Sequence, residues 1–282
     1  MPEGLEAEIW CRAAQPLVGR RLTAVVVDER VTAPGLVRAA TGRRVRRVSR
    51  RGKVVLLHLD ADGVDADVFG DTTPTPGGGG GEARVVGLHF GMTGRLIVDG
   101  RAAIERLTYA SGADRPEWDR LVCRTDPAPA GPFVPALRFN DPRRLGRISL
   151  DPDLSSLGPD VLTVTSDVLA AALRGRRAAV KALLLDQGVV AGLGNLCSDE
   201  VLLHSGIAPS RPASSLTGDE VAELVAACRR RLPLMLEAGG STHGDLSPDR
   251  RRPGGRCPLD DTELERATIG GRTAVWCPRH QH

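Results

Sequence analysis

The 282-residue sequence predicts an α+β protein: a short helix, then a β-sandwich or barrel, then a helical region and a small terminal piece. Three observations carry this. Between residues 20 and 150 apolar residues alternate in short runs bounded by turn residues, as strands require. After residue 150 the apolar spacing becomes helical. The stretch 250–282 is rich in Pro, Gly and Arg, and is too small to hold itself together without a staple.

Each element has a local reason. Residues 5–17 have helical spacing and precede the strands, whose apolar runs are 22–27, 54–57, 85–88 and 96–98. Between residues 71 and 82, Thr-Thr-Pro-Thr-Pro followed by five Gly reads as a flexible surface insertion. Residues 155–159 form a linker, and helices are predicted over 168–174, 178–186, 198–205 and 217–239. Thr217 caps the last of these, with Glu220 three residues on completing a capping box.

Composition narrows the function. At 41% hydrophobic the chain supports packed cores, and at 3% aromatic it lacks material for base-stacking platforms of the RNA-binding sort. No apolar run reaches about 18 residues and no cleavable leader is visible, so the expected location is the cytoplasm or the bacterial nucleoid, away from membrane. Net charge is only +3, yet cations cluster over 43–53, at Arg143-Arg144, over 229–231 and over 250–252. Each cluster alone reads as a solvated face; together they favour a polyanionic partner. Of 38 cations only Lys53 and Lys181 are lysines, so those two positions call for an ammonium rather than a guanidinium. Of the six cysteines, Cys11, Cys123, Cys197 and Cys228 lie in apolar sequence and read as buried thiols. Cys257 and Cys277 sit in polar, Pro-containing contexts that suit a metal site better than a disulfide framework.

Two segments carry chemistry. The chain starts Met1-Pro2-Glu3, and removal of Met1 leaves a secondary amine on Pro2. An α-amino group titrates near pH ~7–8, so it is partly unprotonated at neutral pH, and its attack on a sugar C1′ gives a cationic iminium that serves as an electron sink. Glu3 is placed to move protons on and off that sugar. The second segment, 186–195, holds two glycine turns between helices and ends on Asn195. It reads either as an interhelical turn or as a phosphate site, made of backbone amides at a helix start and the Asn195 side chain.

Taken together, Pro2-Glu3 with Glu6, Arg50-Arg51-Gly52-Lys53, residues 88–94 (Leu-His-Phe-Gly-Met-Thr-Gly), residues 140–146 (Asn-Asp-Pro-Arg-Arg-Leu-Gly) and residues 185–195 resemble the formamidopyrimidine-DNA glycosylase and endonuclease VIII family over nearly the whole chain. The resemblance implies an N-terminal helix and β-sandwich domain over 1–153, a helix-two-turn-helix domain over 160–245 and a zinc-finger-like β-hairpin over 250–282. It implies a monomeric, bifunctional DNA glycosylase and abasic-site lyase of base excision repair, acting on damaged double-stranded DNA. Such an enzyme flips a nucleotide out of the stack, attacks C1′ with the Pro2 nitrogen, expels the base and cleaves the strand by β,δ-elimination.

Carried over residue by residue, Pro2, Glu3 and Lys53 are catalytic. Met92, Arg143 and Leu145 fill the space the flipped nucleotide leaves, with Leu145 standing where Phe is commoner. Asn195 and Arg272 contact DNA. Cys257, Asp260, Cys277 and His280 keep the family's hairpin spacing but replace two of its four Cys; they still form an acceptable set for one structural Zn2+, the alternative being a hairpin kept by packing, as in zinc-free relatives. Only sixteen residues separate Gly240 from Cys257, too few for the flap that formamidopyrimidine-type enzymes fold over oxidised guanine. With Gly4 in place of Leu, this leans toward the endonuclease VIII side and toward oxidised pyrimidines. The alternative is a catalytically weak binder of damaged DNA or abasic sites, which would need neither the amine nor the acid; a ribosomal-type RNA binder leaves the N-terminus unexplained.

Overall fold

A computed structural model of the chain describes residues 2–61, 82–108, 110, 112–128 and 134–282. The predicted insertion over 71–82 lies outside them except for Glu82. The chain forms two compact units. One comprises the N-terminal residues through Ile9, Arg51–Lys53 and Asp153–His282; the other comprises Trp10–Arg50 and Val54–Pro152.

The first helix, α1, spans Gly4–Ala13 and gives way to a 3-10 turn at Gln15–Leu17. It is shorter than its apolar spacing predicts because Pro16 supplies no amide to continue it. There follow β1 (Arg21–Val27), α2 (Leu36–Ala40), β2 (Val45–Arg51), β3 (Val54–Leu59), β4 (Arg84–His89), β5 (Arg95–Val98), β6 (Arg101–Ala102), β7 (Asp119–Asp126), β8 (Leu137–Asn140) and β9 (Arg147–Leu150). They form two sheets, in the orders β1-β7-β8-β5-β6 and β2-β3-β4-β9, so the architecture is a sandwich rather than a barrel. Strand β2 escaped the apolar pattern because basic residues dominate its sequence; only Val45 and Val48 point inward. An aromatic ladder anchors the core, with the Trp10 and Phe90 rings 3.9 Å apart and Phe139 edge-on to Phe90 at 5.2 Å.

The other unit holds α3 (Ser166–Leu173), α4 (Val180–Leu185), α5 (Asn195–His204) and α6 (Gly218–Ala238), then a hairpin of β10 (Glu265–Ile269) and β11 (Arg272–Trp276). Both halves of the Thr217–Glu220 capping box are present, and Gly239 ends α6 at φ 116°, where a side chain would strain the backbone. Helix α5 starts three residues before the apolar pattern suggests, because Gly194 is its N-cap. The turn Gly270-Gly271, with φ of 59° and 70°, closes the hairpin in the geometry that two-residue loops favour. Leu5, Val161, Leu184, Val190, Leu193, Val201 and Leu224 share one core cluster. Leu203, Leu246, Cys257, Leu264, Val275 and Cys277 make a second, which gives the terminal piece an apolar centre of its own. The segment expected as a linker is pinned rather than loose: Gly158 donates to Gln187 O at 2.9 Å, and Arg51 donates to Gly158 O at 2.7 Å.

Candidate active site

Glu3 is 1% exposed and its carboxylate caps α5. Oε2 accepts from the amides of Gly194 (2.9 Å) and Cys197 (3.1 Å), and Oε1 from Leu196 (2.8 Å). A helix start leaves amides unsatisfied and carries partial positive charge, so an anion is stabilised there. Only glycine fits at 194, where a Cβ would lie 2.3 Å from the Glu3 carboxyl carbon. The same economy of space recurs at Gly4, whose amide donates to Gly192 O at 2.8 Å and whose Cβ would overlap that oxygen. Pro2, one residue upstream of Glu3, is buried in this corner.

Glu6 is the second acid of the corner. Its Oε2 accepts from the Glu3 amide at 2.6 Å, the return half of a capping box on α1, and Oε1 accepts from Ser241 N (2.6 Å) and Oγ (2.7 Å). Burial raises its pKa, and the neighbouring Glu3 charge raises it further, against the hydrogen bonds it accepts. No role was read for Glu6 from the sequence, although its spacing of three from Glu3 was the visible signal.

Lys53 stands on the turn between β2 and β3, and that turn belongs to the same unit as Glu3. Burial lowers its pKa; Glu3, Cys197 and Glu6 oppose this, while the positive Arg272 adds to it. A lysine so placed gives up its proton more readily than one in water. Asn195, the first residue of α5, keeps a buried side-chain oxygen with no hydrogen-bond partner among the described residues. Leaving such a group unpaired costs about 1–3 kcal/mol. Arg272 is exposed at the start of β11.

The other unit carries the remaining predicted contacts. Met92 is half-buried, Arg143 exposed and Leu145 exposed at 45%. Their two loops are stitched together: Thr93 Oγ1 donates to Asp141 Oδ1, Gly146 N donates to Asp141 Oδ2 at 2.7 Å, and a Cβ on Gly91 would meet the Leu145 carbonyl at 2.5 Å.

In the terminal hairpin the ligand atoms of Cys257, Asp260 and Cys277 lie within 4.8 Å of one another, and Leu259 N points at Cys257 Sγ at 3.4 Å. His280 is not part of this group. It lies in the turn after Cys277, its backbone donating to Cys277 O at 3.3 Å, and its side chain stays exposed. Two sulfurs and a carboxylate in one pocket fit three of the four positions of a tetrahedral zinc site. A second cluster, Glu200, His204 and Asp245, is partly offset in charge by Arg231, which lies 2.8 Å from both carboxylates.

With this geometry in place, comparison with known proteins decides the family. Residues 1–148 match the formamidopyrimidine-DNA glycosylase N-terminal domain and residues 157–247 the formamidopyrimidine-DNA glycosylase H2TH (helix-two-turn-helix) domain. The chain belongs to the formamidopyrimidine-DNA glycosylase family. It is 33% identical over 306 residues to the formamidopyrimidine-DNA glycosylase of Paracoccus denitrificans, covering 99% of each chain. Identity to that of Rhodospirillum rubrum is 35% over 315 residues, with both chains fully covered. Among solved structures it is similar to the MutM (Fpg) protein of Thermus thermophilus, with a TM-score of 0.73, 29% identity and 99% and 98% of the two chains covered. It shares its fold with the Lactococcus lactis Fpg solved with DNA containing N7-benzyl-Fapy-dG, at a TM-score of 0.75, 21% identity and full coverage of both chains. The family places the chain among the DNA glycosylases of base excision repair. Among the described residues no helix is long and apolar enough to cross a membrane.

Proposed function

We propose that the protein is a bifunctional DNA glycosylase and abasic-site lyase that works through a Pro2 Schiff base. The single observation that carries this is the corner in which Glu3, one residue from Pro2, is fixed by three amides of the α5 start, with Lys53 close enough for Glu3 to shift its titration. In the proposed reaction the Pro2 nitrogen attacks C1′ of the extruded nucleotide and forms the N–C1′ bond as the bond to the base breaks. Glu3 supplies a proton to the sugar ring oxygen and the ring opens; the cationic iminium acidifies C2′–H, the Glu3 carboxylate takes that proton as the 3′ phosphate leaves, and loss of a C4′ proton then releases the 5′ phosphate. As an ammonium Lys53 would pair with the lesion-strand phosphate, and its lowered pKa suits it to proton transfer beside that sugar. Asn195 would donate from its side-chain Nδ2 to the phosphate backbone, Arg272 binds there as a cation, and Met92, Arg143 and Leu145 occupy the space the flipped nucleotide leaves.

Oxidised pyrimidines are the favoured lesions. The stretch after α6 acts as a strut: Glu200 accepts from Asp245 N and Leu246 N at 3.0 and 2.9 Å, and Arg251 pairs with Asp199 at 2.6 Å. That leaves little chain to fold over a bulky purine. Excision of 8-oxoguanine opposite cytosine as fast as thymine glycol would overturn this preference.

One structural zinc ion, held by Cys257, Asp260, Cys277 and a fourth donor from a reoriented His280 or from water, would tie the hairpin together. The purified protein should carry about one zinc per chain, and Cys257→Ser should release it in a colorimetric chelator assay.

The test of the reaction is borohydride trapping on duplex DNA with a single abasic site. A reduced covalent adduct is expected, lost in Pro2→Gly and slowed in Glu3→Gln. Tight DNA binding with no adduct, from protein whose mass proves Met1 removed, would instead support a damage-binding protein.

A further inference from the structure

Strand β3 and all of β2 but its last residue belong to the sandwich unit, yet Arg51 and the Gly52-Lys53 turn that follows it pack with the other unit. Something must hold that turn there, because it carries Lys53. Asp160 supplies the attachment. It is 7% exposed, its Oδ2 accepts from Gly52 N at 2.8 Å and its Oδ1 from Leu162 N at 3.1 Å. Gly52 sits at φ 57°, a conformation favouring glycine, with a Cβ position 3.1 Å from the Ala191 methyl, so the turn is seated closely as well as bonded.

The backbone on either side of Asp160 makes a second connection. Asp160 and Ala191 form a parallel bridge, with Ala191 N donating to Pro159 O at 2.8 Å and Val161 N to Ala191 O at 2.9 Å. Ala191 leads directly into Gly192, whose carbonyl accepts the Gly4 amide, and into Gly194, whose amide binds Glu3. The segment Pro159–Val161, with the Asp160 carboxylate at its centre, therefore ties the Lys53 turn to the glycine turn that fixes Glu3. We infer that Asp160 is a positioning residue for the proposed reaction, setting Lys53 in register with Pro2 and Glu3 through Gly52 on one side and Ala191 on the other.

This inference rests on the proposed Schiff-base chemistry, and single-turnover borohydride trapping at saturating abasic-site DNA tests it. The wild type is compared with Asp160→Ala, Asp160→Asn, Lys53→Ala and the Asp160→Ala/Lys53→Ala pair. Asp160→Ala should slow trapping about 10- to 100-fold, the scale of a small misplacement of a catalytic group. Asp160→Asn keeps one side-chain acceptor and should fall between. If Asp160 acts through Lys53, the double variant should be within about twofold of Lys53→Ala alone. Wild-type trapping by Asp160→Ala would overturn the inference, and so would a loss as large in the Lys53→Ala background as in the wild type, since that is what general disruption of the fold produces. Should Asp160→Ala lose its circular-dichroism melting transition, the isosteric Asp160→Asn completes the same cycle with Lys53→Ala. Absence of any adduct from the wild type would remove the reaction itself, whereas a normal wild-type adduct with an unslowed Asp160 variant removes only the positioning role.

Discussion

At Glu3 the geometry is a consequence of missing side chains. The carboxylate reaches three amides only because Gly194 leaves room for it, and a methyl group there would overlap the carboxyl carbon. Gly194→Ala should therefore displace Glu3, with strand cleavage falling about 100-fold while duplex affinity changes little. Cleavage kinetics alongside fluorescence anisotropy would check this, and undiminished cleavage would mean that the amides do not set the position of Glu3. Pro2, Glu3, Lys53 and Asn195 were legible from the sequence as chemistry-bearing types in a resembling pattern. The contact of Glu6 with Ser241 and the role of Asp160 were not: those partners lie 235 and 108 residues away along the chain, so no local spacing points to them.

Helices α4 and α5 meet β11 around a buried charge cluster. Lys181 and Asp199 are fully buried and 2.6 Å apart, Arg251 reaches the other Asp199 oxygen at 2.6 Å, and both cations donate to Thr273 O at 3.0 Å. Burial pulls Lys181 down to about 8 against the attraction of Asp199, and burial raises Asp199 against its two cations. Thr273 adjoins Arg272, so this cluster fixes the base of the strand that carries the proposed phosphate contact. Asp199→Ala would strand two buried cations and should cost about 3–5 kcal/mol in urea unfolding; a cost below about 1 kcal/mol would mean that water reaches the site. The sequence singled out Lys181 as one of two lysines but gave it no partner.

Glu200, on the next residue of α5, titrates in the opposite sense. Burial alone would raise it, but His204, the amides of Leu246 and Asp245 and the Arg231 guanidinium more than offset that and hold it at about 2, below its ordinary 4.5. A lowered folded-state pKa gives stability that is present above pH 4.5 and lost as pH falls toward 2, an effect of roughly 3 kcal/mol. Unfolding free energies measured across that window should fall with pH, and Glu200→Gln should flatten the slope.

For the whole molecule, cations rather than net charge govern the encounter with DNA. Arg143 and Arg272 are exposed on different units, and the proposal gives them different tasks. Arg272→Ala should lower the slope of log affinity against log salt by about 1, equally for damaged and undamaged duplex. Arg143→Ala should instead change the preference among opposite bases, a property of an edge-reading contact. Equal effects of both variants on salt slope and base preference would refute this division.

By itself the sequence determined the fold class, the alternation of most strands, the capped α6 and the list of reactive residue types. Those follow from side-chain period and capping chemistry, which act over a few residues and are written locally. Only tertiary structure decided that the Lys53 turn packs apart from its own hairpin, that His280 stands outside the Cys257–Asp260–Cys277 group, and that Glu3 is gripped by the start of α5. Those arrangements depend on backbone amides meeting carboxylates across more than a hundred residues. Every residue but proline carries the same amide, so nothing in the sequence distinguishes the ones that will be used.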